Sequence, residues 1–300
     1  MNTTKAKHLI EQFCQQHALP ASYQTLAAEY FLPLADELAN KSQHSSGPLL
    51  IGINGSQGSG KSTLAALLAK CLESLHGLSV SNLSIDDFYH TREKRTELAQ
   101  NIHPLLKTRG VPGTHDIDLL KQTLSSLSSG QIPVSIPRFN KATDDRHTQA
   151  QWDTIDTTVD IIFLEGWCVG VSAQSAQALI KPCNELEQQE DADGQWRAFV
   201  NTSINQSLAP IFKQFDTLIM LKAPSFGCVF EWRQTQEEKL RQSLSAEADQ
   251  SGVMDDQALL RFIQHYQRLT EHMLEVLPTQ ADIVFALNTQ HDVYKRINNG

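Results

Sequence analysis

The chain has 300 residues, 40% of them hydrophobic, and 25 basic against 34 acidic side chains leave it with a net charge of -9. That size and apolar content suit one large α/β domain with a single core, and the acidic balance excludes a general nucleic-acid or anionic-membrane surface, so any anion site must be a local basic pocket. No apolar run approaches the ~18 residues that cross a bilayer and the polar start, Met1 to His8, has no signal-peptide core behind it, so a cytoplasmic location without nucleic-acid or membrane partners is expected.

Thr4 to His17 and Tyr23 to Asn40 read as two amphipathic helices joined at Leu19-Pro20, followed by the polar linker Lys41 to Pro48. Residues 1–46 are therefore expected to be a helical extension packed on a domain spanning 47–300. Leu49 to Asn54 (LLIGIN) is a short apolar run suited to a buried parallel strand, and Ser62 to His76 carries apolar residues at helical spacing. Between them Gly55, Ser56, Gln57, Gly58, Ser59, Gly60, Lys61 and Ser62 complete a G-x-x-x-x-G-K-S loop, with Thr63 next on the helix. Strand, loop and helix thus follow in the order a phosphate-binding loop requires. The glycines let backbone N–H groups converge on a polyphosphate, the helix N-terminus adds partial positive charge, and Lys61 supplies an ammonium for the terminal phosphates. Ser62 is the expected Mg²⁺ ligand. A nucleoside triphosphate is implied.

Leu78 to Ile85 reads as a second strand, running into Asp86 and Asp87, and Arg92 to Ile102 as a charged helix. His103 to Asp116 is a loop rich in Pro and Gly, with Asp116 a plausible N-cap for a helix over Ile117 to Leu127. A strand is expected over Ile132 to Phe139, and Val159 to Leu164 (VDIIFL) is the most strand-like run in the chain, delivering Glu165 at its end. Glu185 to Gly194 is acidic and expected to be exposed. Helices at Trp196 to Phe212, Val229 to Leu244 and Asp256 to Leu277, with strands at Thr217 to Lys222 and Ile283 to Leu287, complete the pass. Strands alternating with helices mean a mostly parallel sheet covered on both faces. Cys14, Cys71, Cys168, Cys183 and Cys228 form no C-x-x-C pair, so neither zinc nor disulfides are indicated.

Ligands of open parallel sheets bind beyond the carboxyl ends of the strands, and here three strands end in something chemical: the loop at 55–62, Asp86 with Asp87, and Glu165. A phosphoryl-transfer enzyme needs one acid for Mg²⁺ and one to take the proton of the attacking hydroxyl. The competing readings are N-caps for Asp86 or Asp87 and an ordinary buried ion pair for Glu165. Cationic candidates for the transferring phosphate or an acceptor are Arg109, then Arg138, Lys141 and Arg146, then Arg233, Lys239 and Arg241 on one predicted helix, where Arg233, Glu237 and Arg241 share a face and could equally be a solvated one. The aromatics Phe88, Tyr89, Trp167 and Trp232 are more often core than ligand platforms. Asn140, Lys141, Ala142 and Thr143 lack the acid of a guanine-reading N-K-x-D motif.

Taken together, GSQGSGKS at 55–62, SIDDFY at 84–89, LKTRGVPGTHD at 106–116, IPRFNKATDDR at 136–146, FLEGW at 163–167 and WRQTQEEKLR at 232–241 resemble the plant-type D-glycerate 3-kinase family, relatives of phosphoribulokinase, uridine kinase and pantothenate kinase. The resemblance covers most of the chain. It implies an α/β, P-loop NTPase three-layer sandwich with a mostly parallel sheet and a helical lid, here with the N-terminal helical extension. It further implies ATP and Mg²⁺ as cofactors and a small hydroxy-acid acceptor, D-glycerate phosphorylated at its 3-hydroxyl. In those terms Asp86 is the base with Asp87 as fallback, Glu165 holds Mg²⁺, and Arg233 and Arg241 are lid arginines. Asp87, Tyr89, Arg109, Gly110, His115, Lys141 and Arg146 fall in the blocks that meet the acceptor, its carboxylate going to Arg109 or to Lys141 with Arg146. Another hydroxylated metabolite as acceptor, such as uridine, pantothenate or a sugar phosphate, and a non-catalytic ATP-binding regulatory role stand beside this reading.

Overall fold

The computed structural model describes residues 3–243 and 256–299, and the side chains of Thr3 and of 239–243 fall outside that description. In chain order the strands are β1 (Leu49–Gly55), β2 (Val80–Ser84), β3 (Val134–Ile136), β4 (Phe139–Asn140), β5 (Asp145–Arg146), β6 (Asp153–Ile155), β7 (Ile161–Gly166), β8 (Thr217–Lys222), β9 (Ile283–Leu287) and β10 (Val293–Asn298). The helices are α1 (Thr3–Gln16), α2 (Ala21–Leu26), α3 (Leu32–Gln43), α4 (Lys61–His76), α5 (Arg92–Asn101), α6 (Ile117–Ser128), α7 (Glu185–Glu190), α8 (Gln195–Ser203), α9 (Ala209–Phe212), α10 (Phe226–Ser243) and α11 (Asp256–Val276).

Six strands form one sheet in the order β10-β9-β8-β1-β7-β2, parallel throughout except for β10, which runs antiparallel to β9. Every residue of β1 and β7 is buried, which is why these strands read as continuous apolar runs. Side chains alternate between two cores. Ile51, Ile53, Ile161, Phe163 and Phe285 face one, with Phe13 of α1, Leu34 and Leu38 of α3 and Leu64, Leu68 and Leu72 of α4. Leu50, Ile162, Leu164, Met220 and Val284 face the other, with Leu120 and Leu124 of α6, Val200 of α8 and Leu269 and Met273 of α11. The result is the expected three-layer α/β sandwich. Truncating a fully buried side chain such as Leu68 to Ala would cost ~2–5 kcal/mol, since it loses its burial and leaves a cavity. The N-terminal helices are held by polar contacts as well: Lys41 Nζ donates to Thr217 Oγ1 at 2.8 Å, and Arg296 pairs with Glu37.

Several elements differ from their sequence reading. The run Ile132 to Phe139 is broken at Pro137, which has no N–H to continue a ladder, so β3 pairs with β6 and β4 with β5 in two small ribbons outside the main sheet. The second helix is interrupted by a π turn at Ala27–Phe31, and the helix after Trp196 by another at Ile204–Leu208, each followed by a proline. The acidic stretch after Glu185 is not simply exposed. Glu187 and Asp191 are buried, taken up by Arg268 at 2.6 Å and Arg197 at 2.8 Å. Among the described residues no helix is long and apolar enough to cross a membrane.

Candidate active site

The register of the sheet brings the chemistry to one edge. Glu165 of β7 lies opposite Ile53 of β1 and Ser84 of β2, so the loop after β1 and the turn after β2 flank it. Gly60 caps α4 at φ +86, a left-handed conformation that glycine adopts without strain, and this turn aims the helix N-terminus into the cleft. Asn54, just before the loop, is buried and donates to the carbonyls of Trp167 at 3.0 Å and Val169 at 2.7 Å, tying the loop's base to the segment after β7.

A cleft of about 590 Å³ opens above this edge. It is lined by Gln57, Gly58, Gly60, Lys61, Ser62 and Thr63 from the phosphate-type loop, by Asp86 and Tyr89 after β2, and by Arg109, Lys141, Trp167 and Arg233; Gln236, Phe262 and Tyr266 complete it. Gly55 closes β1 beneath the loop, with Ser56 and Ser59 buried beside it. Ser62 Oγ donates to Glu165 Oε1 at 2.9 Å, while Glu165 Oε2 is buried without a partner. Glu165 is therefore bound to a hydroxyl and not to the basic side chain that an ordinary buried ion pair would require.

Asp86 and Asp87 lie in a 3-10 turn, Ile85–Phe88, and neither caps a helix; α5 is capped by Thr91, whose hydroxyl accepts from the Lys94 N–H at 3.3 Å. The two acids have separate surroundings. Asp86 accepts from Tyr89 Oη at 2.9 Å and from Lys141 Nζ at 2.8 Å. Burial alone would raise its pKa, but the charges of Lys141 and Lys61 and these two hydrogen bonds outweigh burial and hold the carboxyl below its ordinary range. Asp87 instead binds Arg138 at 2.7 Å and the Phe139 N–H at 3.0 Å, so it anchors the β4–β5 hairpin and does not line the cleft.

The acceptor candidates divide in the same way. Arg109 and Lys141 reach the cleft, Arg109 with its guanidinium also paired to Asp144 and 5.5 Å from the Phe139 ring centroid. Arg146 does not. It donates to the Tyr89 carbonyl at 2.8 Å and to Asp116 Oδ2 at 3.1 Å, bracing the turn from behind. His115 is buried against Tyr89, ring centroids 4.5 Å apart, and burial lowers its pKa to about 4, leaving the ring neutral. Arg233 lines the cleft and pairs with Glu237 at 2.7 Å, whereas the side chains of Lys239 and Arg241 lie outside the described residues.

No sequence motif marks Asn54, Phe262, Tyr266 or Gln236; Trp167 is buried in the core, as expected, and also lines the cleft. Tyr266 comes from α11, donates to the Arg109 carbonyl at 3.2 Å and packs edge-on to Trp167 at 4.8 Å. Gly110 is the trace this packing leaves in the sequence: at its φ of +137 a side chain is strained, and a Cβ there would meet the Tyr266 hydroxyl at 2.2 Å.

A strand, phosphate-type loop and helix, a hydroxyl–carboxylate pair beside the loop and a second carboxylate across one cleft define a P-loop phosphotransferase. The chain belongs to the phosphoribulokinase/uridine kinase family, whose model matches residues 50–180. It is 34% identical over 232 residues to the uncharacterized kinase mug58 of Schizosaccharomyces pombe, covering 73% of this chain and 78% of that one. It is 28% identical over 228 residues to the chloroplastic D-glycerate 3-kinase of Arabidopsis thaliana, covering 73% of this chain but 46% of that longer one. A solved structure of D-glycerate 3-kinase from Cryptococcus neoformans superposes with a TM-score of 0.69 at 25% identity, covering 93% of this chain and 99% of that one. The protein is an ATP-dependent P-loop kinase.

Proposed function

We propose that the protein transfers the γ-phosphoryl group of ATP to the 3-hydroxyl of D-glycerate. The observation that carries this reading is the pairing, in one cleft, of a carboxylate free of the sheet core (Asp86) with two cations that suit an acceptor carboxylate, Arg109 and Lys141. The resemblance to proteins named D-glycerate 3-kinase supports the same acceptor.

Lys61 and the backbone N–H groups of residues 57–62 receive the phosphates. Ser62 and Glu165 suit Mg²⁺: both offer hard oxygen donors, and the partnerless buried Glu165 Oε2 has an unmet need for a cation or donor. When bound there, Mg²⁺ would supply charge stabilisation for the phosphates. A second cleft of about 330 Å³ shares Gly60 and Thr63 with the loop and is walled by Leu19, Pro20, Tyr23 and Leu26 of the N-terminal segment and by Gln290 and His291 after β9; it is the place for the nucleobase. Trp232 fixes α10 beside it, donating to the Thr289 carbonyl at 2.9 Å and stacking on His291 at 4.2 Å.

In the transfer the acceptor's hydroxyl oxygen bonds to Pγ while the bond from Pγ to the bridging oxygen breaks, its electron pair leaving with ADP. Asp86 takes the hydroxyl proton. Lys61 and Arg233 stabilise the charge on the transferring group, and α10, which carries Arg233, serves as the lid that excludes water. Asp87 and Arg146 take no part in contact with substrate and hold the turn that carries Asp86 and Tyr89. ADP release from Mg²⁺-ATP with D-glycerate added, followed by identification of the phosphorylated carbon, tests the reading. Stimulation by another acceptor in its place would overturn it.

A further inference from the structure

Both oxygens of Asp86 are engaged, and the two donors are held very differently. Tyr89 is buried between His115 and Phe139, and its carbonyl is bound by Arg146, so its hydroxyl is fixed on Oδ1. Lys141 stands at the turn of the β4–β5 hairpin. The hairpin itself is pinned: Asp87 holds the Phe139 N–H, Asp144 binds Arg95 and Arg109, and Asp145 Oδ1 accepts from the Arg92 N–H. Its lysine side chain, by contrast, is 64% exposed and meets Asp86 Oδ2 at 2.8 Å, an ion pair that solvent screens and that a competing anion can displace.

We infer that Lys141 is an acceptor-operated latch on Asp86: its ammonium occupies the base in the resting enzyme and is drawn away by the carboxylate of a hydroxy-acid acceptor, freeing Oδ2 for that acceptor's hydroxyl. The inference rests on the proposed reading of Asp86 as base and of the acceptor as a carboxylate. Lys141 is then a specificity-determining residue and not merely an anchor. Two cations face Asp86, Lys141 from the hairpin turn and Lys61 from the start of α4, and the other titratable groups around it are Tyr89, His115, Cys168 and Tyr266. Burial opposes the charge on Asp86, and the two ammoniums together with the hydrogen bonds from Lys141 and Tyr89 outweigh it, which makes the resting carboxylate a poor base. ATP phosphates occupy Lys61 in the loaded enzyme, so the state of Asp86 passes to Lys141. Without an acceptor, a water in the cleft faces a neutralised base, and the wasteful reaction is held back. In that reaction water oxygen bonds to Pγ, the bridging bond breaks toward ADP, and the proton goes to Asp86.

The test compares wild type, Lys141→Met and Lys141→Arg, whose exposed side chain makes misfolding of the variants an unimportant outcome. Acceptor-free ADP release from Mg²⁺-ATP is measured across pH, then with D-glycerate and with its neutral isostere glyceramide. Lys141→Met should raise acceptor-free release about tenfold, within the range that general-base catalysis supplies, and move the acid limb of that rate to higher pH because a cation no longer depresses Asp86. Lys141→Arg should restore the suppression, and the preference of kcat for D-glycerate over glyceramide should fall in Lys141→Met. An unchanged acceptor-free rate and acid limb, with only the KM for D-glycerate increased, would overturn the latch and leave Lys141 a simple carboxylate contact. If D-glycerate fails to stimulate the wild type, the acceptor reading and the carboxylate trigger fall together. An acceptor-free rise in Lys141→Met would in that event still establish the restraint on Asp86.

Discussion

Ser62 Oγ donates to Glu165 Oε1 at 2.9 Å across 103 residues of sequence, joining the first turn of α4 to the end of β7. This bond orients one carboxylate oxygen and leaves the other, Oε2, buried and without a partner. Glu165→Gln keeps the shape and the acceptor for Ser62 but removes the charge. The Mg²⁺ concentration for half-maximal activity should rise roughly 10–100-fold, as it does when carboxylates that orient or hold a metal are neutralised. An Mg²⁺ titration of ATP turnover checks it, and an unaltered midpoint would remove Glu165 from the metal site.

Lys61 and Asp86 share a cleft, and the proposed transfer gives them different tasks. Lys61→Ala should weaken ATP binding and turnover together. Asp86→Asn should leave the Kd for ATP near the wild-type value while turnover falls ~10²–10⁴-fold, the range for a lost general base. Calorimetric titration with ATP beside steady-state kinetics separates the two, and wild-type turnover in Asp86→Asn would exclude it as base.

Two buried histidines give the fold an acid sensitivity of known sign. Burial lowers the pKa of His115 and of His265 to about 4. Each binds a proton less readily folded than unfolded, so the stability it contributes is present above the ordinary histidine range and lost as pH falls through about 4. The melting temperature should therefore decline as pH is lowered from neutrality, and His115→Phe should flatten that decline. Asp86 acts in the same direction: with its pKa depressed, its contribution is present above the ordinary carboxylate range and lost only at lower pH. A melting temperature independent of pH between 7 and 4 would contradict the neutral state of the two rings.

Much of the fold was legible because β1, β7, β8 and β9 are interior strands of a parallel sheet, and burial on both faces leaves them as uninterrupted apolar runs. The acid that ends β7 stands out for the same reason, since a charge directly after such a run needs a purpose; β2 is the sheet's other edge and only half-buried, so Asp86 and Asp87 stand out as a pair of acids at a strand end. β10 escaped notice because it is an antiparallel edge strand whose outward residues, Tyr294 and Lys295, are exposed. Glu187 and Asp191 looked like surface charge because one of their partners, Arg268, is 81 residues away from Glu187 and nothing local announces it. Within one motif, Lys141 faces the cleft and Arg146 braces it from behind, and only the direction of the β4–β5 hairpin separates them. Tyr266 and Phe262 reach the site by the packing of α11, which no local pattern records.

Arg146 is the clearest case of a basic motif residue whose contacts are internal. It is 12% exposed and holds Tyr89 and Asp116. Arg146→Ala should lower stability by ~1.5–3 kcal/mol, the range for hydrogen bonds from a charged group, measured by urea unfolding. The KM for the acceptor should change far less than in Arg109→Ala. A rise in acceptor KM at full stability would instead place Arg146 in contact with substrate.

The most direct measurement is ADP release from Mg²⁺-ATP by the purified protein with D-glycerate, L-glycerate, pantothenate, uridine or ribulose 5-phosphate added one at a time. The expected result is strong stimulation by D-glycerate, with the phosphate found on its 3-hydroxyl. Stimulation by uridine or ribulose 5-phosphate with none by D-glycerate would contradict the acceptor assignment and the carboxylate roles of Arg109 and Lys141, while leaving a P-loop kinase in place.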